Sequence, residues 1–192
     1  MLFPTKAYFV KTICQLLCAA PIQATDGNFY GTARQGGNGT DCGESGCGTI
    51  FKINKDDKLT TLHSFDFTDG SSPFGGLLQE TNGDFYGTTG EGGDLSCNPP
   101  QGCGTIFSIS TELGPFVSLL PSSAKEGSVV YILGTDLTGV SSISFNGTSA
   151  AFTVKSSSEI KTAVPARATT GFVIVTRPSG NLRSNKKFCV KL

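Results

Sequence analysis

Asp26-Gly-Asn-Phe-Tyr-Gly-Thr32 returns as Asn82-Gly-Asp-Phe-Tyr-Gly-Thr88, with five of seven positions identical at an offset of 56 residues. Cys47-Gly-Thr-Ile-Phe-Lys-Ile53 returns as Cys103-Gly-Thr-Ile-Phe-Ser-Ile109, six of seven identical at the same offset. Two separate blocks that keep one offset mark a tandem repeat.

Each unit reads as short strands and turns. Phe29 to Ala33 is a strand opened by an Asp-Gly-Asn turn, and residues 34–46 form a long Gly-rich loop. Thr49 to Ile53 is the second strand, Leu59 to Phe65 the third and Gly76 to Gln79 a short fourth, separated by polar turns. Four short strands per unit is the pattern of a propeller blade. The second copy stops after Ile109, which leaves about one and a half units. That is too few for a ring of roughly four to eight blades. The expectation is an incomplete propeller-like β-repeat region over residues 21–112. It is either part of a longer array or a sheet that completes itself by self-association.

These blocks resemble the GloVer tandem repeat, found in bacterial surface proteins with varied anchors. The likeness rests on Asp26 to Thr32, Gly36-Gly37, Gly48 to Ile53, Leu59 to Phe65 and Asp69-Gly70, and spans about residues 20–110. It implies an extracellular β-repeat protein, usually with more copies, and brings no catalytic residues with it.

From Gly114 the pattern changes. Pro115 and Pro121 read as a linker-like entry. Strands are expected at Ser128 to Leu133, Ser141 to Phe145, Ala150 to Lys155, Glu159 to Val164, Phe172 to Arg177 and Lys186 to Leu192. Alternation places Ile143 with Phe145, Ile160 with Thr162 and Val164, and Phe188 with Val190 on common faces. Six or seven short strands in about 80 residues read as an Ig-like sandwich over residues 113–192. This half resembles IPT/TIG domains of the E-set type. The likeness is carried by Gly134 to Val140, Ile143 to Gly147, Ala151 to Val154, Ile160 to Pro165 and Thr170 to Val175. It implies a spacer or binding module of a surface protein. Overall the chain is expected to be all-β.

Composition agrees with short strands and many turns: 25 of 192 residues are Gly and Trp is absent. The formal net charge is zero, which removes an overall pull toward nucleic acid or acidic membranes. The charge is uneven, however. Residues 1–113 hold six Lys/Arg against twelve Asp/Glu, and residues 114–192 hold nine against three. The split supports two domains. Arg177, Arg183, Lys186, Lys187 and Lys191 make a modest basic set, but no base-reading element accompanies it, so no nucleic-acid partner is expected. Residues 1–20 read as a degenerate signal or remnant segment. Lys6 precedes an apolar run, but Lys11 interrupts it and Pro21 follows the Ala19-Ala20 point. No stretch approaches the ~20 apolar residues of a membrane span.

Seven cysteines are present, Cys14 and Cys18 in the N-terminal segment and Cys189 alone. The other four pair locally, Cys42 with Cys47 and Cys97 with Cys103, one pair per unit. Local disulfides in an oxidising compartment are the simplest reading. Free thiols or a Cys₄ metal site are the alternatives, the spacings being wider than a zinc knuckle. His63 is the one histidine; with no nucleophile motif and no acid at telling spacing, a structural role is preferred to a catalytic one. Asp26, Asp66 and Asp69 read as turn formers rather than calcium ligands. Asn38-Gly-Thr40 and Asn146-Gly-Thr148 fit the glycosylation sequon, but Asn-Gly is also a hairpin turn. Tyr30 and Tyr86 recur once per unit, as core residues or as sugar-stacking aromatics.

These residues assign no catalytic group, cofactor or metal. The expectation is a non-enzymatic extracellular or cell-surface protein of structural or adhesive type, its partner a surface protein or a glycan. The alternative is a carbohydrate-binding or accessory module of a surface glycan system.

Overall fold

The structure is a computed structural model, which describes residues 18–39 and 41–191. Most of the stretch read as a degenerate signal, including Cys14, lies outside the described residues, as do Thr40 of the first sequon and Leu192. Among the described residues the fold is all-β, with one short 3₁₀ turn at Gly43–Ser45 and several antiparallel sheets, none of them closed. No helix among them is long and apolar enough to cross a membrane. The chain forms two compact units, Met1–Gln79 with Phe85–Ser110, and Glu80–Asp84 with Thr111–Leu192.

The first unit holds the two repeats. Strands β1 (Ile22–Gln23), β2 (Phe29–Ala33), β3 (Thr49–Ile53) and β4 (Leu59–Ser64) pair in chain order in one antiparallel sheet. Strands β5 (Leu78–Gln79), β6 (Phe85–Thr88) and β7 (Ile106–Ile109) make a second sheet. Aromatic and β-branched residues dominate β2, β3, β6 and β7, as suits a pleated, half-buried surface. Tyr30 pairs with Lys52 and Thr32 with Ile50 across β2 and β3, so these four share one face. Phe29, Gly31, Phe51 and Ile53 share the other. A bulge in the pairing of β3 with β4 leaves Leu62 as the extra residue and sets His63 opposite Ile50.

Two expectations are corrected here. Leu78–Gln79 does not finish the first copy; it pairs with Phe85 and Tyr86 of the second. Its counterpart 56 residues earlier, Ile22–Gln23, opens the first sheet by pairing with Tyr30 and Phe29. Each sheet therefore begins before its Gly-containing turn. The segment 115–120 is not a linker either. It lies 56 positions after β4, yet it gives the second sheet no fourth strand. Strand β8 (Val117–Leu120) pairs instead with β10 (Val129–Gly134) in the second unit, where Val117 and Leu119 are buried.

The second unit adds β9 (Ser123–Lys125), β10 (Val129–Gly134), β11 (Ser142–Phe145), β12 (Thr148–Ser149), β13 (Phe152–Val154), β14 (Glu159–Ala163), β15 (Val173–Arg177), β16 (Gly180–Arg183) and β17 (Cys189–Lys191). One four-stranded sheet runs β13-β14-β10-β8 and another β12-β11-β15-β16, while β17 pairs in parallel with β9. Alternate residues of both four-stranded sheets enter one apolar core, with Val130, Ile132 and Ile160 from the first and Ile143, Phe145, Val173 and Val175 from the second. Phe188 closes it, its ring edge-on to Phe145 at 5.1 Å. Asn146-Gly147 turns β11 into β12, with Asn146 at φ 46°, and its amide donates to Thr169 Oγ1 at 2.8 Å.

Candidate functional site

The glycine-rich loops of the two repeats are built alike. Gly36 N–H donates to Ser45 O and Gly48 N–H to Gly36 O. Fifty-six residues on, Gly92 N–H donates to Gln101 O and Gly104 N–H to Gly92 O. Gly46 (φ 65°) and Gly102 (φ 76°) both hold a positive φ, and a Cβ on either would run into the carbonyl of Gly36 or Gly92. A disulfide closes each loop, Cys42 to Cys47 and Cys97 to Cys103. Cys47 is buried and Cys103 exposed. Cys18 and Cys189 are free and exposed. Among the described residues no group of three or more His, Cys, Asp or Glu is arranged to hold a metal ion.

A polar cluster forms where the first turn meets β2 and β3. One oxygen of Asp26 accepts from Asn28 N–H at 3.0 Å, which makes an Asx turn. The other accepts from Tyr30 Oη at 3.0 Å and Asn28 Nδ2 at 2.5 Å, and lies 3.4 Å from Lys52 Nζ. Burial pushes the Asp26 carboxyl up, but the hydrogen bonds from Asn28, Tyr30 and Lys52 outweigh it and hold the group below its ordinary value. Burial, aided by Asp26, raises the Tyr30 hydroxyl above its ordinary value. The Tyr30 hydrogen bond, followed by Asp26, raises Lys52. Beside the cluster lies an open groove of about 640 Å³, whose walls include Asn28, Lys52, Asn54, Lys58 and Thr60.

Tyr30 itself is fully buried, its ring stacked on Phe85 at 4.4 Å. Of the two alternatives, its burial fits the core one, because both its face and its hydroxyl are occupied. Tyr86, the equivalent residue of the second copy, is 38% exposed.

The second cluster surrounds His63. Its Nε2 lies 2.6 Å from Asp69 Oδ2, and its ring meets Phe65 edge-on at 4.9 Å. The acid partner that sequence spacing did not reveal is thus six residues away, across a turn. Asp69 Oδ1 accepts from Asp66 N–H, and Asp66 in turn accepts from the Thr68 hydroxyl and the Thr68 and Asp69 N–H groups. Those bonds, the Thr68 hydroxyl first, hold the Asp66 carboxyl below its ordinary value. Among the described residues no hydroxyl or thiol hydrogen-bonds to the His63 ring. Its crevice, about 220 Å³, is walled mainly by Ile50, Phe65, Phe107 and Ile109.

Three members of the basic set of the second unit are engaged locally. Arg177 is largely buried and donates to Thr135 O, Asp136 O and Asp136 Oδ2. Arg183 lies over the Phe172 ring at 3.4 Å, with Lys187 at 5.9 Å.

Fold and loops together define a tandem β-repeat protein whose glycine-rich loops are pinned by disulfides. The chain belongs to the Gloeobacter/Verrucomicrobia repeat family, whose model matches residues 17–162 and so runs past the repeats into the second unit. No curated protein matches it. Among solved structures it is similar to an auxiliary nutrient binding protein from Bacteroides ovatus, at 18% identity and TM-score 0.33 over 40% of this chain and 20% of that one. It is similar to SGBP-B from a complex xyloglucan utilization locus in Bacteroides uniformis, at 14% identity and TM-score 0.33 over 88% and 48%. Gamma-CGTase from Alkalophilic bacillus clarkii matches at 13% identity and TM-score 0.38 over 85% and 26%. The chain thus spans half or less of the length of each, and likenesses this shallow carry no argument about function.

Proposed function

We propose that the chain is a non-enzymatic extracellular or cell-surface protein of structural or adhesive type. Its repeats form a partial propeller-like array, and residues 113–192 an Ig-like sandwich of the IPT/TIG kind that acts as spacer or binding module. The observation that carries this reading is the disulfide in each repeat loop, since such bonds persist in oxidising compartments. The sandwich is supported by two antiparallel sheets that fill one core from alternate residues. His63 is then structural, tying β4 to the turn at Asp66–Asp69. The test is mass spectrometry of the native protein after alkylation, with and without reductant. Four additional alkylated sites after reduction are expected at Cys42, Cys47, Cys97 and Cys103. Alkylation of all four before reduction would contradict an oxidising location.

The polar groove beside Asp26 favours a second reading, a carbohydrate-binding module, because amides, hydroxyls and ammonium groups converge there on open space. Glycan-array binding that Lys58→Ala abolishes is the expected result under that reading. Absence of binding to every glycan counts against it.

A further inference from the structure

The two copies of the repeat place equivalent residues in opposite surroundings. In the first copy the face bearing Tyr30, Thr32 and Ile50 is closed, with each of these residues buried. The second sheet closes it: Tyr30 stacks on Phe85, and Phe65 meets Phe107 at 5.2 Å. In the second copy the corresponding face is bare. Ile106 is 84% exposed and Leu78 63%, with Tyr86 beside them. All three point the same way, because Leu78 pairs with Tyr86 and Ile106 with Thr88, two residues along β6.

The reverse faces differ in the same sense. Phe85 is fully buried under Tyr30, whereas its counterpart Phe29 is 44% exposed; Leu59, in the same row with Ile53 between them, is exposed too, while Phe51 further along that face is buried. Each repeat thus has a tyrosine face and a phenylalanine face. One pair is joined within the chain, and of the other pair the Leu78–Tyr86–Ile106 face and the Phe29–Leu59 edge are exposed. Apolar clusters of this sort on a surface mark interaction sites.

We propose that a second copy of this chain seats its Phe29–Leu59 face on the Leu78–Tyr86–Ile106 face, repeating between chains the contact that joins Tyr30 to Phe85 within one. The occupant is another copy because, among the described residues, a tyrosine face packs on a phenylalanine face of this same repeat, and the chain exposes an edge of each kind. Such a head-to-tail contact is heterologous, so it builds a ring where the rotation closes and a filament where it does not. With two repeats per chain, a ring of roughly four to eight blades takes about two to four chains.

Light scattering and sedimentation on the full chain test this, with Ile106→Lys and Phe29→Lys as variants checked for folding by circular dichroism. The wild type is expected to assemble in a concentration-dependent way. Each variant alone is expected to associate at least tenfold more weakly. An equimolar mixture of the two is expected to form a one-to-one pair, because each supplies the face that the other lacks. Leu78→Lys and Leu59→Lys repeat the test on the same two faces should either first variant fail to fold. A wild type that stays monomeric at every concentration overturns the proposal. So does a Phe29→Lys variant that assembles like the wild type, which would mean that tyrosine faces pair with each other. A mixture that stays monomeric overturns it as well.

Discussion

Phe29-Tyr30 and Phe85-Tyr86 are the same dipeptide on equivalent strands, yet Tyr30 and Phe85 are buried while Phe29 and Tyr86 are exposed. The first three strands of each sheet pair alike and the loops behind them are built alike, so neither decides the outcome. The difference is which face has a neighbouring sheet laid on it. In repeat proteins the apolar surface is buried between neighbours rather than within one unit, and terminal units are left atypical. Burial here belongs to a position in the array and not to a residue type.

The comparison can be broken most sharply at the paired isoleucines. Ile50→Ala removes a buried side chain and is expected to cost about 2–5 kcal/mol in denaturant unfolding. Ile106→Ala, at a position 84% exposed, is expected to change stability by less than about 0.5 kcal/mol at concentrations where the chain is monomeric. Similar costs at both would mean that the two faces are equally covered. The loops should behave the opposite way, as equals. Gly46→Ala and Gly102→Ala both force a side chain into a positive-φ position against a carbonyl, and each is expected to destabilise by roughly 1–3 kcal/mol.

The disulfides sharpen the contrast further. Both loops are short, so replacing either pair with Ser is expected to cost no more than about 2 kcal/mol. Because Cys103 is exposed and Cys47 buried, limited treatment with reductant followed by alkylation should label Cys97 and Cys103 first. The smallest effect is expected at Asp26, where the second copy has Asn82 in the same Asx turn, its Oδ1 accepting from Asp84 N–H at 2.9 Å. The Asp26 carboxyl is held below its ordinary value of 3.8, so its stabilisation is present above that pH and is lost as pH falls through the lowered folded value. Asp26→Asn should therefore keep the turn but remove this acid-induced loss, measured as melting temperature against pH. Identical pH profiles for wild type and variant would show that the cluster contributes nothing.

Much of this arrangement was legible in advance. The constant offset of 56 exposes the repeat, and the turns before Phe29 and after Ile53 bound β2 and β3 at their observed residues. Alternation also puts Ile143 with Phe145 and Ile160 with Val164 on common faces, and all four are buried in the core. Other features rest on contacts that local pattern does not record. Leu78–Gln79 is too short to show which sheet it joins. The prolines at 115 and 121 hid β8, a strand whose partner is ten or more residues ahead. The His63–Asp69 pair depends on a bulge and a turn acting together. The opposite fates of Tyr30 and Tyr86 cannot be read from residues that are the same in both copies.

A double-mutant cycle tests the stacking of the repeats most directly, carried out by unfolding at concentrations where the chain is monomeric. Coupling between Tyr30→Ala and Phe85→Ala is expected at about 0.5–1.5 kcal/mol, the range for an aromatic pair in contact. The same cycle on Phe29→Ala and Tyr86→Ala is expected to give additive effects within about 0.5 kcal/mol. Additivity at Tyr30 and Phe85, or equal coupling in the two pairs, would contradict the account.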